Sequence, residues 1–370
     1  MSGERVDIML VVSDMGGGGA QRVLCAVASH WVAAGHKVAV TTLSEPGNDF
    51  FRLPDAVTRT SIGLNSASQS LLTGLINNAC RVWRLRRLLK RMQPAVAVGF
   101  VGPTAVLLVA AAVGTGVRVV AAERNDPARQ SFGPIWDRLC RAAYRYADLV
   151  TANSPGAVEA LGRFVPAGRL LFTPNPIPAA TAGPRASLQG PAILAVGRLH
   201  RQKGIDILLN AFARVQSNEW RLVLVGEGSD REKLEAQAQA LGIASRVHFE
   251  GVATDPAPYY RAADIFVLPS RHEGTPNALM EAMAFGLPVV VSDGSPGPLN
   301  LVEDGISGLI TPVEDAPALA KALERLMADA GLRARLGAGA RDAMKARRER
   351  DEALALWDRA IGFSAGGATR

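Results

Sequence analysis

Short apolar runs alternate along this chain with longer segments in which apolar residues recur every three or four positions. The short runs predict strands buried on both faces of a parallel sheet, and the three-to-four spacing predicts amphipathic helices that cover those faces. The alternation runs from Val6 to Ala152, breaks in a stretch rich in proline, alanine, glycine and serine, and then resumes. We therefore expect an α/β protein with two doubly wound parallel sheets, one in each half.

The pattern also predicts bounds for these elements. In the first half we expect strands at 6–12, 37–43, 57–62, 95–100, 118–122 and 149–152, and helices at 20–34, 71–92, 103–113 and 134–146. In the second half we expect strands at 192–196, 222–225, 247–249, 265–268, 289–291 and 309–310. The stretch 316–361 is predicted to be helical, with Gly331 and Gly337 as breaks. The expected domains are 1–178 and 191–346, with a linker at 179–190 and a C-terminal helix in 347–370 that packs back on the first domain.

Composition is that of a globular protein, with 48% hydrophobic and 20% charged residues. The three cysteines are far apart and match neither a disulfide framework nor a metal site. The N-terminal apolar run is too short for a secretory signal, and glycines and an arginine interrupt 105–122, the one stretch that resembles a membrane span. We therefore expect a cytoplasmic protein.

The stretch 271–297, RHEGTPNALMEAMAFGLPVVVSDGSPG, carries the strongest chemical pattern. Glu273 and Glu281 stand eight residues apart, around the expected start of a helix between two buried strands. Thr275 suits the helix N-cap, Pro276 its first position and Gly286 its C-terminal end. Glu273 therefore falls at the carboxyl end of a strand, where open α/β sheets bind ligands. Carboxylates in so buried a setting are costly unless they accept hydrogen bonds, and sugar or ribose hydroxyls are suitable donors.

Three other segments follow predicted strands directly. Arg198 and Lys203 are spaced to converge on a diphosphate, although a solvated cationic loop has the same pattern. The turn Gly16–Gly19 leads into a helix whose N-terminus can bind an anion, although a tight turn without a ligand looks the same. A second glycine turn lies at 226–228. Together these segments predict an anion site beside the carboxylates.

At this point the chain resembles the retaining glycosyltransferases of the GT-B fold in family four, which include bacterial polysaccharide and glycolipid transferases. The resembling segments are GGGGAQRV, GRLHRQKGIDILLNAF, LVGEG, RVHFEGV, YYRAADIFVLPSRHEGTPNALMEAMAFGLPVVVSD and LVEDGISGLI. They cover nearly all of the second half and the start of the first. The resemblance implies two Rossmann-like domains facing a cleft, with the acceptor bound by the first domain and the nucleotide sugar by the second.

The resemblance also implies roles for individual residues. Glu273 would contact the donor sugar, Glu281 the ribose, and Arg198 and Lys203 the diphosphate, which makes Glu273, Arg198 and Lys203 the expected catalytic residues. Backbone N–H groups of 274–277 would add to the diphosphate site, and 246–252 would lie along the base. The donor-binding residues implied in this way are Gly16, Gly17, Gly18, Gly19, Arg198, Lys203, Glu227, Val252, Gly274, Thr275, Asn277 and Glu281.

The implied reaction is transfer of a hexose or N-acetylhexosamine from a nucleotide-diphosphate sugar, UDP rather than GDP, with retention of configuration, in cell-surface polysaccharide or glycolipid synthesis. The segments AERNDP (122–127) and GSPGP (294–298) resemble a subgroup that acts on lipid-diphosphate-linked oligosaccharides. Where many relatives have a histidine in a loop of the first domain, this chain offers Arg124 or Asn125, the acceptor-side candidates. The nucleotide sugar is a co-substrate and no cofactor is expected. Because the chain has no Asp-x-Asp motif and no His/Cys cluster with metal spacing, we expect metal-independent transfer.

Charge predicts a second partner. Residues 1–185 hold 20 Lys/Arg and 11 Asp/Glu, a net +9, whereas residues 186–370 hold 21 and 23, a net −2. Basic and apolar residues mix in 81–92, a pattern of helices that dock on anionic lipid, and equally of a helix with a solvated basic face. The basic residues are Arg81, Arg84, Arg86, Arg87, Lys90 and Arg91. We expect a peripheral protein on the inner face of the plasma membrane, and no nucleic-acid partner, because aromatic content is 5% and no nucleic-acid motif occurs.

Three other functions stay open on the sequence. A GT-B nucleotide-sugar epimerase shares the fold, needs no acceptor and would release a new free sugar epimer. A dinucleotide oxidoreductase needs an acidic residue at the end of the second strand; Glu45 lies beyond that end, and the paired cations and carboxylates stay unexplained. A catalytically silent sugar-binding protein would not need both cations and both carboxylates.

Overall fold

The computed structural model describes residues 5–16, 18–45, 49–64, 71–125, 131–176, 180, 182–346 and 350–362. The chain divides into two compact units. Unit 1 comprises Met1–Pro176 and Asp351–Arg370, and unit 2 comprises Ile177–Arg350. Each unit is a parallel sheet covered by helices, so the predicted α/β class with two doubly wound sheets is confirmed.

The described residues of unit 1 form seven parallel strands in the order β3-β2-β1-β4-β5-β6-β7. The strands are β1 (Ile8–Val12), β2 (Val38–Thr42), β3 (Thr58–Ser61), β4 (Val96–Phe100), β5 (Arg118–Glu123), β6 (Leu149–Ala152) and β7 (Leu170–Phe172). The helices are α1 (Gly19–Ala33), α2 (Leu71–Met92), α3 (Gly102–Ala112), α4 (Pro134–Tyr146) and α5 (Pro155–Gly162). Every residue of β1, β2 and β4 is buried, because helices cover both faces of the sheet. The strand order reverses between β1 and β4, the position at which such sheets open a crevice for ligands.

Within its described part, unit 2 forms six parallel strands in the order β10-β9-β8-β11-β12-β13. The strands are β8 (Ala192–Val196), β9 (Arg221–Val225), β10 (Val247–Gly251), β11 (Ile265–Leu268), β12 (Val289–Ser292) and β13 (Leu309–Thr311). The helices are α6 (Ile205–Arg214), α7 (Arg231–Ala240), α8 (Ala257–Ala262), α9 (Asn277–Ala284), α10 (Pro296–Leu299), α11 (Ala316–Ala328) and α12 (Ala330–Ala346). Here the order reverses between β8 and β11, so the loops that follow these two strands meet at the switch point.

The last helix, α13 (Arg350–Ile361), belongs to unit 1 although it follows unit 2 in sequence. Its Trp357 is fully buried, packs edge-to-face with Trp31 at 6.2 Å and stacks on Phe100 at 5.7 Å between ring centroids. The Trp31 Nε1–H donates to Asp358 Oδ1 at 2.8 Å, and His30 Nε2 lies 3.1 Å from the same carboxylate. Helix α13 therefore completes one side of the core of unit 1.

Most predicted elements lie within a few residues of the observed ones, but the predicted breaks in the C-terminal helices are wrong. Gly331 and Gly337 lie inside α12, and the helix boundary is Asp329, whose side chain accepts from the Leu332 N–H at 2.8 Å. A Cβ at Gly337 would lie 2.3 Å from the Gly286 carbonyl oxygen. This glycine therefore allows close packing of α12 and does not end it. Strand β7 and helix α5 were not predicted.

Candidate active site

The loops that follow the strands of unit 2 are packed backbone against backbone. A Cβ at Gly226 or Gly228 would lie 2.0 and 2.2 Å from the carbonyl oxygens of Gly197 and Leu199. The Leu199 N–H donates to the Glu227 carbonyl at 2.9 Å, and the Gly226 N–H donates to the Gly251 carbonyl at 2.7 Å. Glycine is required at 226 and 228 because any side chain would separate these loops. The loops after β8, β9 and β10 therefore form one connected edge.

The loop after β11 packs against the loop after β8 in the same way. Gly204 has φ +66°, and a Cβ there would lie 2.0 Å from the Pro269 carbonyl oxygen. The Arg271 N–H donates to the Gln202 carbonyl at 2.8 Å, and Gln202 Nε2 donates to the His272 carbonyl at 3.0 Å. These contacts bring together two segments that are about 70 residues apart, as the separation of Gln202 and His272 shows.

Lys203 and Glu273 form an ion pair where these two loops meet. Lys203 Nζ donates to Glu273 Oε1 at 2.5 Å, and the side chains are 20% and 9% exposed. Ser270 Oγ donates to the same carboxylate oxygen at 2.7 Å, and the Glu273 N–H donates to Ser295 Oγ at 2.8 Å. The carboxylate is thus oriented by a cation and a hydroxyl, while its backbone is tied to the loop after β12. The sequence predicted both charged residues for the site but neither serine.

Helix α9 begins one residue later than predicted. Pro276 has ψ 100° and is the N-cap, so Asn277 is the first helical residue, and the prediction of Thr275 as N-cap is wrong. The predicted C-terminal glycine is confirmed: Gly286 has φ +76°, its N–H donates to the Met283 carbonyl at 2.9 Å, and the next N–H donates to the Ala282 carbonyl at 3.0 Å. This pattern is a Schellman motif.

The second glutamate of the stretch lies on the buried side of α9. Glu281 is 2% exposed, and its helix neighbours Leu279, Met280, Ala282 and Met283 are buried as well. Asn277, one turn earlier, is half-buried, as are Gly274 and Thr275. A carboxylate this buried depends on hydrogen-bond donors for its stability, so Glu281 is not a residue of a solvated face.

The remaining donor-site candidates of unit 2 are more exposed. Arg198 is exposed, and its guanidinium has no hydrogen-bond or ion-pair partner among the described residues. Glu227 forms an ion pair with Arg231, which also binds Glu235 at 2.7 Å. Val252, directly after β10, is 51% exposed. Arg198 is therefore available to an anion, whereas the Glu227 carboxylate is already paired.

The glycine turn of unit 1 is organised by an aspartate that the sequence analysis missed. Asp14 Oδ1 accepts from the Gly16 N–H at 2.8 Å, and Asp14 Oδ2 accepts from Ser13 Oγ at 2.8 Å. Gly18 is the N-cap of α1, with extended backbone, and Gly19 is its first residue. Gly17 lies outside the described residues. The predicted turn from strand to helix is thus confirmed for the described part.

Arg124 lies inside unit 1, at the carboxyl end of β5. Its Nη2 donates to the hydroxyls of Thr151 and Thr173 at 2.5 and 2.8 Å, and its Nη1 donates to the Thr173 carbonyl at 2.9 Å. The guanidinium carbon lies 4.8 Å from the Trp357 ring centroid, and burial lowers the pKa of Arg124 to about 9. Both Nη atoms are therefore occupied by protein groups, and they tie β5, β6 and the segment after β7 to α13.

Glu123, the neighbour of Arg124, completes this cluster. Its Oε1 accepts from the N–H groups of Arg124 and Asn125 at 2.9 Å each, and its Oε2 accepts from the Tyr144 hydroxyl at 2.5 Å. Burial raises the pKa of Glu123 against these hydrogen bonds. Asn125 is half-buried, and residues 126 and 127 of the AERNDP segment lie outside the described residues.

In the described part of the chain, no group of three or more His, Cys, Asp or Glu side chains is arranged to hold a metal ion. No helix in that part is both long enough and apolar enough to cross a membrane.

Solved structures share this architecture over nearly the whole chain. HepE from Anabaena, in complex with UDP and glucose, superposes with a TM-score of 0.80 at 19% identity, over 96% of this chain and 99% of that one. Sucrose-phosphate synthase from Thermosynechococcus elongatus superposes with a TM-score of 0.81 at 21% identity, over 96% and 98%. At such identities the likeness establishes the fold, which is GT-B.

Two family descriptions match most of the chain, one in each unit. "Glycosyl transferase 4-like domain" matches residues 18–176, and "Glycosyl transferases group 1" matches residues 190–329. The chain belongs to the GT-B glycosyltransferases. The resemblance drawn from the sequence motifs is confirmed at this level, and the protein is a transferase enzyme.

Sequence relatives of this glycosyltransferase have names that refer to lipid-linked glycans and to lipopolysaccharide. A Campylobacter jejuni transferase, whose name gives an undecaprenyl-diphosphate-linked acceptor and N-acetylgalactosamine as the sugar, is 26% identical over 332 residues, 89% of this chain and 91% of the relative. The lipopolysaccharide core biosynthesis glycosyltransferase LpsE of Rhizobium meliloti is 34% identical over 209 residues, 52% of this chain. That match spans 58% of LpsE, less than two thirds of its length.

Proposed function

We propose that this glycosyltransferase moves a hexose or N-acetylhexosamine from a nucleotide-diphosphate sugar to a lipid-diphosphate-linked glycan, with retention of configuration. The observation that carries the proposal is the Lys203–Glu273 pair, held at 2.5 Å where the loops after β8 and β11 meet. A cation and a carboxylate fixed together at the switch point offer one group to a diphosphate and one to sugar hydroxyls. The UDP-bound neighbours support a UDP-sugar donor.

In the proposed reaction, negative charge grows on the leaving nucleoside diphosphate as its bond to the sugar breaks. Lys203 and the exposed Arg198 stabilise that charge, and positive groups already in place cost no reorganisation at that moment. Backbone N–H groups of Gly274, Thr275 and Asn277 add to the same site. Glu273 accepts hydrogen bonds from the donor sugar, and Glu281 accepts them from the ribose. Because two cations supply this stabilisation, we propose that transfer needs no divalent metal.

We further propose that unit 1 approaches an anionic membrane, where its acceptor is carried. Helix α2 contains six basic residues and no acidic one, and its Trp83 is 59% exposed. Between α2 and the end of β3 lies a cavity of about 440 Å³ whose lining includes Arg84, Arg87 and Arg91 beside Trp83. Exposed arginines next to an exposed tryptophan suit the interface between lipid head groups and acyl chains.

The proposed transfer is tested by a donor screen. Nucleotides and nucleotide sugars are first compared by calorimetry, and the donor that binds is then assayed for transfer to lipid-diphosphate-linked glycans. Lys203→Ala and Glu273→Ala should each lower turnover at least ~100-fold, because each removes a preorganised charge from the transition state. Lys233→Ala, an exposed lysine on α7, is the matched control and should leave turnover unchanged.

Three results would contradict the proposal. The first is the absence of binding by any nucleotide or nucleotide sugar. The second is near-normal turnover in the Lys203 or Glu273 variant. The third is release of a new free sugar epimer without an acceptor, which would identify an epimerase of the same fold.

A further inference from the structure

Arg271 connects the two loops that carry the Lys203–Glu273 pair. Its Nη1 donates to the Arg201 carbonyl at 2.5 Å, two residues before Lys203 in sequence. Its Nη1 and Nη2 donate to the two carboxylate oxygens of Asp206 at 2.9 and 2.8 Å, in the first turn of α6. Arg271 itself stands two residues before Glu273. The Arg271 side chain therefore hydrogen-bonds to residues on both sides of Lys203 from a position close to Glu273 in sequence.

We propose that Arg271 is a positioning residue that sets the separation between Lys203 and Glu273 for sugar transfer. This inference rests on the proposed function of that pair. Arg271 makes no contact with the donor in this role, because all three of its guanidinium nitrogens donate to protein oxygens.

The third nitrogen extends the same contact to another loop. Arg271 Nε donates to Glu314 Oε1 at 2.6 Å, in the segment after β13, and Glu314 has φ +62°. The Arg271 side chain is 14% exposed. A Cβ at Gly294, in the loop after β12, would lie 2.3 Å from the Arg271 carbonyl oxygen. The loops after β8, β11, β12 and β13 thus all meet at this residue.

Charge separates the role of Arg271 from that of Arg198. Two carboxylates neutralise Arg271, and the hydrogen bonds that it donates, first to Asp206 and then to Glu314, raise the pKa of Arg271. Arg198 is exposed and has no such partner among the described residues. The planar fork of arginine matches a carboxylate at two points, which a lysine ammonium cannot do. Arg271 is therefore suited to fix geometry, and Arg198 to bind an anion.

The kinetic test is a double-mutant cycle in full-length protein. Arg271→Ala should lower kcat about 10- to 100-fold and change the donor KM less than about 3-fold, because a misplacement near 1 Å has an effect of that size. In a protein that already carries Lys203→Ala there is no ion pair left to position. Adding Arg271→Ala to it should therefore lower kcat by less than about 3-fold relative to Lys203→Ala alone. Arg271→Lys, which keeps the charge without the fork, should recover part of kcat and provides a variant that folds if alanine does not.

A second measurement does not depend on transfer activity. The rate of acylation of Lys203 by an amine-reactive reagent is followed by mass spectrometry, with Lys233 as internal reference. In Arg271→Ala and Arg271→Lys, Lys203 should react at least ~5-fold faster, because its pair with Glu273 opens more often. The matched control is Arg333→Ala, since Arg333 is also half-buried in unit 2 and donates to two backbone carbonyls of the segment at Leu326 and Met327. It should change neither kcat nor Lys203 acylation.

The outcomes separate the two proposals. Faster acylation together with non-additive losses of kcat supports the positioning role. The positioning role is overturned if the fold-losses of kcat in the two single variants multiply in the double variant, or if the acylation rate of Lys203 is unchanged. If the parent chain transfers no sugar from any donor, the proposed function fails, and the acylation rate alone then decides whether Arg271 holds the pair.

Discussion

Removing both partners of the Lys203–Glu273 pair should destabilise unit 2 by less than the sum of the two single removals. At 2.5 Å and an effective dielectric constant near 20, the attraction between two unit charges is about 7 kcal/mol. Desolvation of a pair that is 20% and 9% exposed offsets most of that attraction. Lys203→Met alone removes the cation and leaves the buried Glu273 carboxylate hydrogen-bonded to the Ser270 hydroxyl, and we expect a loss of about 2–4 kcal/mol in the free energy of unfolding.

Differential scanning calorimetry measures this effect. For a unit of this size a loss of about 2–4 kcal/mol lowers the melting temperature by about 5–12 °C. Glu273→Gln should cause a smaller loss, because an exposed portion of Lys203 remains in contact with water. The double variant Lys203→Met with Glu273→Gln should melt above the temperature that the summed single losses give, by at least the equivalent of about 1 kcal/mol.

Additive decreases in melting temperature would refute this reasoning, since they would show that the two side chains do not interact in solution. A decrease in melting temperature of less than about 1 °C in Lys203→Met would also refute it, because such a shift corresponds to only a few tenths of a kcal/mol. The matched control Lys233→Met removes an exposed lysine and should melt with the parent protein.

Three further results are expected. The pKa of Glu123 is raised in the folded protein, so the protonated carboxyl contributes fully to stability below the ordinary pKa, and this contribution is lost as pH rises. The melting temperature of Glu123→Gln relative to the parent should therefore rise from about pH 4 to about pH 7. A constant or falling difference would exclude this burial effect. Charge reversal at Arg87 and Arg91 should lower co-sedimentation with anionic vesicles at least ~10-fold, whereas the same charge change at Arg163 and Arg169 should not; equal losses would count against a docking surface on α2. Transfer should continue at an unchanged rate in excess EDTA, and loss of activity that Mg²⁺ or Mn²⁺ restores would refute the assignment of charge stabilisation to Arg198 and Lys203.

Apolar runs predicted the fold well where strands are buried on both faces, as in β1, β2 and β4. Strand β7 gave no such signal, because it has only three residues and none is fully buried. Gly337 misled the prediction because a glycine in a helix can mark a break or a close contact, and only the nearby Gly286 carbonyl distinguishes the two. The local sequence pattern therefore predicts helices and strands better than it predicts whether a glycine ends a helix or allows a close contact.

The candidate site was predictable in its charged residues and not in their contacts. Lys203 and Glu273 stood out because each follows a buried strand, but the bond between them joins positions 70 residues apart. Arg271 shows the same limit, since its partners Asp206 and Glu314 lie 65 and 43 residues away in sequence. Arg124 was an acceptor-side candidate, and its burial against Trp357 depends on a helix more than 200 residues later. Such contacts are decided by tertiary packing, which residue spacing does not contain.

The position of α13 has a consequence for the order in which the protein is made. Unit 2 is one continuous segment, so all of it leaves the ribosome before the residues of α13 do. Most of unit 1 precedes unit 2 in sequence, yet Trp31, Phe100 and Arg124 pack against Trp357, which is synthesised only after the whole of unit 2. The usual order, in which the N-terminal domain matures first, is therefore reversed. Most of unit 1 therefore emerges before unit 2, but its core is completed only after unit 2 has been synthesised.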